Sequence, residues 1–367
     1  MEESMIWRAD ERGGLRLREL YHRHGYLPYR MGKFEPYDLY VKNKSFLVSE
    51  NILTFTDTDG RLMALKPDVT LSIVKNAQPA AGGLEKVYYH ENVYRTTSAG
   101  LGFREIMQTG LECIGELDLT AMGEVLSLAA ESLRLLGGGA YLLDLGHTGL
   151  VSGLLERVRE ESVKVQLLKE LGRKNGPELD RICAQAGVER ELAVRLHRLS
   201  QLYGSPAQVL PQLEELAAGG RARAALEELE GLCRILERLG LLEGLRLDFS
   251  IANDMRYYNG IIFRGYLPGL ASGVLAGGRY DNLLRRMGKT GQAIGFAVYL
   301  DQLERLDGES EYDVDVLLLY GPDADPADVA AEAAALAADG SSVRTERSAP
   351  QGLRWRELVR FGEGGQA

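Results

Sequence analysis

Three cysteines, Cys113, Cys183 and Cys233, are all that this chain of 367 residues contains. An odd number, far apart in apolar surroundings, cannot form a complete disulfide framework, so buried free thiols in a reducing cytoplasm are expected. No metal-ligand spacing is present, and no metal is expected. Nor is there a run of about 18 uncharged apolar residues, which argues against a membrane-spanning helix. The opening MEESMIWRADERGG has neither a basic leader nor an apolar stretch, so no secretory signal is expected. Positive charge is also in short supply: 43 Lys and Arg against 53 Asp and Glu leave a net charge of -10. Such a balance opposes a polyanion at long range, and tRNA binding is not expected unless a local basic patch overrides the mean.

What remains is an ordinary globular composition, 45% apolar and 26% charged, long enough for two or three domains. Leu15 to His24 carries apolar residues at helical spacing and stops at Gly25. Short β-rich segments follow at Ile52–Asp57, Arg61–Ala64, Lys86–Tyr94, Ile106–Ile114, Ala140–Leu145, Leu245–Phe249, Gly260–Tyr266 and Gln292–Phe296. Turns such as Asp59-Gly60 separate some of them, and the pattern predicts a mostly antiparallel sheet with helices on one face. Residues 150–242 read differently, as successive amphipathic helices broken by Gly or Pro. We expect a core from 1–149 and 243–308, a helical insertion at 150–242 and a short α/β extension at 309–367. The insertion reads either as helices packed on their own small core or as a lid or partner-binding module; His197 inside it reads as a packing or surface residue. In the extension, VDVLLLY, a helix from Asp328 to Asp339 and SSVRTERS give strand, helix, strand, and the tail after Pro350 reads as one more short helix.

Gln108, Gly110 and Glu112 alternate along a predicted strand, so they share one face, and the glycine leaves a hollow between an amide and a carboxylate. Such a hollow suits a cationic, hydrogen-bonding small ligand; a polar outer face of an edge strand is the other reading of this element alone. Tyr257-Tyr258-Asn259-Gly260 adds aromatic walls. Ala276-Gly277-Gly278-Arg279-Tyr280 reads as a loop without side chains followed by a guanidinium able to fork onto phosphate or carboxylate. Arg95, Arg104, Arg256 and Arg279 are the candidate contacts of that kind.

Taken in order, LKPDVT (65–70), VYR…FREIMQTGLECIG (93–115), YYNGIIF (257–263), AGGRYD (276–281) and AIGFAVYLDQL (293–303) resemble the catalytic core of histidyl-tRNA synthetase, a class II aminoacyl-tRNA synthetase. The resemblance spans roughly residues 15–306. It implies an α+β fold, an antiparallel sheet of about six or seven strands flanked by helices, with the LRELYHRHGY helix at a dimer seam. It also implies that Asp68, Thr70, Gln108, Glu112, Tyr257 and Tyr258 face histidine.

Departures from the synthetase pattern point away from catalysis. Arg95 is kept, but Thr97 stands at the second motif's glutamate position, Gln302 at the third motif's arginine position and Asn253 at the catalytic arginine position. Arg256 lies three residues later, and Gly32 replaces the first motif's proline. Loss of one preorganised charge typically costs about 10²- to 10³-fold in rate, and here two arginines are gone. A histidine pocket without these cations resembles the regulatory subunits of ATP phosphoribosyltransferase, synthetase paralogues that join a short catalytic subunit in the first step of histidine biosynthesis. In that family they are implicated in feedback inhibition by histidine. The resemblance implies no cofactor, L-histidine as regulatory ligand, the short-form catalytic subunit as partner, and a homodimer within a larger hetero-oligomer. Two alternatives stay open on sequence: a divergent histidyl-tRNA synthetase, and a synthetase-like module whose partner is unrelated to histidine synthesis.

Overall fold

The computed structural model describes residues 8–43, 51–96, 102–217, 219–253, 257–305 and 311–362, with backbone alone for Ala252 and Asn253. The chain divides into two compact units, Asp10–Glu304 and one containing Arg305 onward.

The larger unit opens with α1 (Ala9–Arg23), acidic in its first turn at Asp10 and Glu11 and basic in its last at His22 and Arg23, as the helix dipole favours. It begins six residues before Leu15. Gly13 and Gly14 lie inside the helix because the chain needs close approach there: a Cβ on Gly14 would stand 2.7 Å from His90 Cε1 and one on Gly13 2.8 Å from Leu136 Cδ2. Then come β1 (Leu27–Pro28), β2 (Phe34–Pro36), α2 (Tyr37–Lys42), β3 (Thr54–Thr56) and β4 (Leu62–Leu65). The last three strands form a small antiparallel sheet in the order β2-β4-β3. Its Asp59-Gly60 turn closes with Gly60 N–H donating to the Asp57 carbonyl at 3.0 Å.

After α3 (Thr70–Asn76), β5 (Leu84–Thr96) and β6 (Phe103–Gly115) pair antiparallel over their whole length. Next come α4 (Leu119–Leu136), β7 (Leu142–His147) and α5 (Thr148–Leu155). The helical segment comprises α6 (Glu161–Gly172), α7 (Gly176–Gln185), α8 (Arg190–Gln201), β8 (Tyr203–Gly204), α9 (Pro206–Leu216) and α10 (Gly220–Arg238). The unit closes with β9 (Leu245–Asp248), β10 (Ile261–Tyr266), β11 (Leu275–Arg279), α11 (Asp281–Arg286) and β12 (Gln292–Tyr299).

Nine strands form the main sheet in the order β1-β5-β6-β12-β11-β10-β7-β9-β8, parallel only at β1/β5 and β7/β9. Helices lie on both of its faces, not on one. Tyr21 of α1 meets Phe296 edge-on at 5.8 Å and donates to or accepts from Ser132 of α4 at 3.0 Å, which places α1 and α4 on the Phe296 face. On the opposite face Thr70 of α3 reaches Glu112. Segment 150–242 is woven into the same unit: β8 pairs with β9 at the sheet edge, and α10 packs on α4 and α5. Glycines allow that packing, since a Cβ on Gly153 would lie 2.7 Å from Ala222 N. Within the segment His197 Nδ1 sits 2.9 Å from Asp180 on a half-exposed surface.

AGGR, read as a loop, is the central strand β11. Its glycines are required by crowding: a Cβ on Gly277 would come within 2.5 Å of the Gly295 carbonyl and one on Gly278 within 2.6 Å of Tyr258 Cδ1. The second unit contains β13 (Val314–Leu319), α12 (Pro326–Ala337), β14 (Val343–Glu346) and β15 (Trp355–Arg360), a parallel sheet in the order β14-β13-β15. Asp325 caps α12 by accepting from Ala327 N at 2.7 Å. The tail after Pro350 is thus a strand, not a helix. The apolar β13 offers a second edge whose backbone groups need partners, and β15 supplies them in register from Val314↔Trp355.

Candidate functional site

The site lies on the α3 face of the main sheet. Alternation along β6 turns Gln108, Gly110 and Glu112 to one side, and β12 sets Gly295 opposite Glu112 and Ala297 opposite Gly110. Both glycines are spatially forced. A Cβ on Gly295 would fall 1.7 Å from Glu112 Oε2, and one on Gly110 would fall 2.2 Å from the Phe296 carbonyl and 2.6 Å from the Tyr89 hydroxyl.

Glu112 is the centre. It is 2% exposed, and its carboxyl accepts from Thr70 Oγ1 at 2.7 Å and from the Tyr280 hydroxyl. Burial outweighs those two hydrogen bonds and pushes its pKa up to about 8, so the acid is largely protonated in the unliganded pocket at neutral pH. Asp68, also buried, accepts from Leu71 N at 2.8 Å. Its pKa too is raised by burial, with the Leu71 amide, Arg95 and the Thr70 amide holding it back. Arg95 is buried beside it and donates from Nε to the Pro67 carbonyl at 2.9 Å.

Aromatic rings form the walls. Tyr257 and Tyr258 stand 4.6 Å apart edge to face, and Tyr257 and Tyr280 are 5.9 Å apart. Burial keeps the hydroxyls of Tyr89, Tyr257 and Tyr280 firmly protonated. Gln108 is 2% exposed, and its Nε2 has no hydrogen-bond partner among the described residues. A buried amide donor left unpaired costs about 1–3 kcal/mol. The pocket therefore holds two carboxyl groups reluctant to ionise without a cation, and one donor in want of an acceptor.

The structure thus gathers Asp68, Thr70, Gln108, Glu112, Tyr257 and Arg95, with Tyr258 in the wall. Sequence reasoning passed over Tyr280, Tyr89 and Gly295, and also the buried Lys66–Glu91 ion pair. The register supplies the missing signal for two of them: Tyr89 and Gly295 are the cross-strand neighbours of Gly110 and Glu112.

Other candidates are engaged elsewhere. Arg104 is half-exposed and 3.5 Å from Asp301. The Arg279 fork, read as open to a ligand, is taken up by Asp281 at 2.9 Å and faces Glu228 at 3.5 Å. Gln302 donates to Asp301 at 2.9 Å and accepts from Ser272 at 3.0 Å, so a neutral amide is fixed where the synthetase pattern has a cation. Thr97 and Arg256 lie outside the described residues. Asn253 ends a 3-10 turn, Ser250–Asn253.

The sequence matches the histidyl-tRNA synthetase family over residues 5–303. An ATP phosphoribosyltransferase regulatory subunit from Caldanaerobacter subterraneus subsp. tengcongensis is 32% identical over 78% of this chain and 76% of the relative. The chain belongs to the ATP phosphoribosyltransferase regulatory subunit family. A second regulatory subunit of this family, described also as a histidyl-tRNA synthetase, is known from Bacillus halodurans: its structure superposes with a TM-score of 0.76 at 25% identity, covering 98% of this chain and 96% of that one. A chain of the ATP phosphoribosyl transferase complex from Thermotoga maritima shares the fold, with a TM-score of 0.63 at 20% identity over 79% of this chain and 97% of that one. Membership accounts for the class II architecture of the regulatory subunit. Among the described residues no helix is long and apolar enough to cross a membrane.

Proposed function

We propose that this regulatory subunit binds L-histidine in the Glu112 pocket, has no catalytic activity of its own, and activates a short-form ATP phosphoribosyltransferase catalytic subunit while relaying feedback inhibition to it. The relatives' names and the pocket's composition both support this reading. The observation that carries it is the buried set of Asp68, Thr70, Gln108 and Glu112, taken together with a neutral Gln302 tied to Asp301 and Ser272. A zwitterionic amino acid answers both needs of such a pocket, offering cationic donors to the carboxyl groups and a carboxylate to the orphaned Gln108 Nε2. An adenylating site also needs cations where charge develops in the transition state. Gln302 offers none.

The subunit acts in the cytoplasm, as a homodimer within a larger hetero-oligomer, without tRNA. Inhibition at a distance requires histidine to prefer one of two assembly states, and the coupling is then reciprocal. Calorimetry and pyrophosphate exchange test the reading together. Free histidine should bind the isolated protein and Glu112→Ala should weaken it at least tenfold, while histidine-dependent exchange of pyrophosphate with ATP should be absent. Equal affinity of wild type and Glu112→Ala would remove Glu112 from the site. Exchange at even a hundredth of a synthetase's rate would favour an active ligase.

A further inference from the structure

A second cleft, which shares only Tyr258 with the histidine-facing set, lies between the end of β7, α5, α10 and α11. Its volume is about 410 Å3, within the usual range for small-molecule sites, and Arg221, Arg285, Asn259, Asn282, Glu228 and His147 are among its walls.

The acids of this cleft are satisfied from within. Gly149 N donates to His147 Nδ1 at 2.9 Å, which leaves the ring proton on Nε2, 3.0 Å from Glu228 Oε1. Glu228 Oε2 faces Arg279 at 3.5 Å. Behind it the buried Asp281 takes Arg279 Nε at 2.9 Å and Asn259 Nδ2 at 3.0 Å on one oxygen, and Ala293 N at 3.1 Å on the other. No carboxylate oxygen of that wall is left to attract a cation.

The donors are less committed. Arg285, from α11, is hydrogen-bonded to the neutral Asn282 side chain. Arg221, from α10, pairs at 3.0 Å with Glu156, both side chains being more than half exposed. Such a pair is screened by water, and a better-placed anion can replace it. Two guanidinium groups from different helices line the same cleft, over a wall whose acids are already bonded, and each is a planar fork of the kind that phosphate selects. This is a local exception in a chain of net charge -10.

We propose that this cleft binds the phosphoryl group of a small molecule between Arg221 and Arg285. Inorganic phosphate and a sugar phosphate present the same chemistry there. The proposal does not depend on histidine binding, although Tyr258 and Asn259 line the cleft next to the pocket that Tyr257 walls.

The test uses the full chain alone, titrated by calorimetry with inorganic phosphate and with ribose 5-phosphate at constant ionic strength, with chloride, sulfate and acetate as controls. At least one phosphate probe should bind, and Arg221→Ala and Arg285→Ala should each weaken it at least tenfold, while Arg134→Ala on α4 leaves it unchanged. Both arginines are exposed, so the variants should melt like wild type in chloride. Tighter binding of ribose 5-phosphate would assign the rest of the cleft to the sugar, and equal binding would assign the phosphoryl group alone. No binding of either probe, equal binding of the controls, or affinity unaffected by the double variant would overturn the proposal.

Discussion

Replacing Glu112 with glutamine should change how stability depends on pH. Burial lifts this carboxyl from 4.5 to about 8 in the folded protein. Between those values the native state holds a proton that the unfolded chain has released, so stability falls as pH rises, by about 1.4 kcal/mol per pH unit at 25 °C. Over the 3.5 decades the loss approaches about 5 kcal/mol, an upper figure because water entry and local relaxation soften it. The contribution is full below about pH 4.5 and gone above about pH 8. Glutamine cannot ionise. Its amide carries two hydrogens where the protonated acid carries one, which leaves a surplus buried N–H, so Glu112→Gln should be slightly less stable than wild type at pH 5 and more stable at pH 8.5. Urea midpoints of both proteins at half-unit steps from pH 5 to 9 read this directly, and the difference between them removes every other titrating group. A stability difference that does not vary with pH would show that Glu112 ionises normally and that burial in this pocket does not oppose its charge.

Gly295→Ala should push a methyl group into the Glu112 carboxyl, since the Cβ would lie 1.7 Å from Oε2. Histidine affinity should fall at least tenfold and stability by about 1–3 kcal/mol, measured by calorimetry and denaturant melts; unchanged binding would contradict the packing of β12 on β6. Asp144, pushed up to about 6 by burial and by the neighbouring Asp248, should give a second pH window. As a raised carboxyl it stabilises the fold at low pH and loses that contribution as pH rises through about 6. Asp144→Asn should therefore gain stability over wild type at pH 7.5 and not at pH 4, and equal melting shifts at both pH values would refute this.

Much of the site could be read from alternation. Gln108, Gly110 and Glu112 are held to one face by the two-residue period of β6, but the hollow expected at Gly110 is filled, because the Phe296 carbonyl and the Tyr89 hydroxyl stand 2.2 and 2.6 Å from where its Cβ would be. Tyr280 could not be read the same way, because the run before it looks like a loop. Gly277 and Gly278 are strand residues that lack side chains only because neighbouring backbone and rings occupy the space, and local propensity is blind to that crowding. The tail at Trp355–Arg360 failed for a related reason: its strand exists because β13 has an edge to fill, a tertiary demand. The start of α1 was missed where Gly13 and Gly14 trade helix propensity for closeness to Leu136 and His90.

The most direct test of the account is the phosphoribosyl-transfer rate of the short catalytic subunit, measured alone and mixed with this protein, with and without histidine. Wild-type protein should raise the rate and make it inhibitable by histidine, and Glu112→Ala should raise the rate equally while blunting inhibition at least tenfold. No activation on mixing, or identical histidine inhibition with wild type and Glu112→Ala, would contradict it.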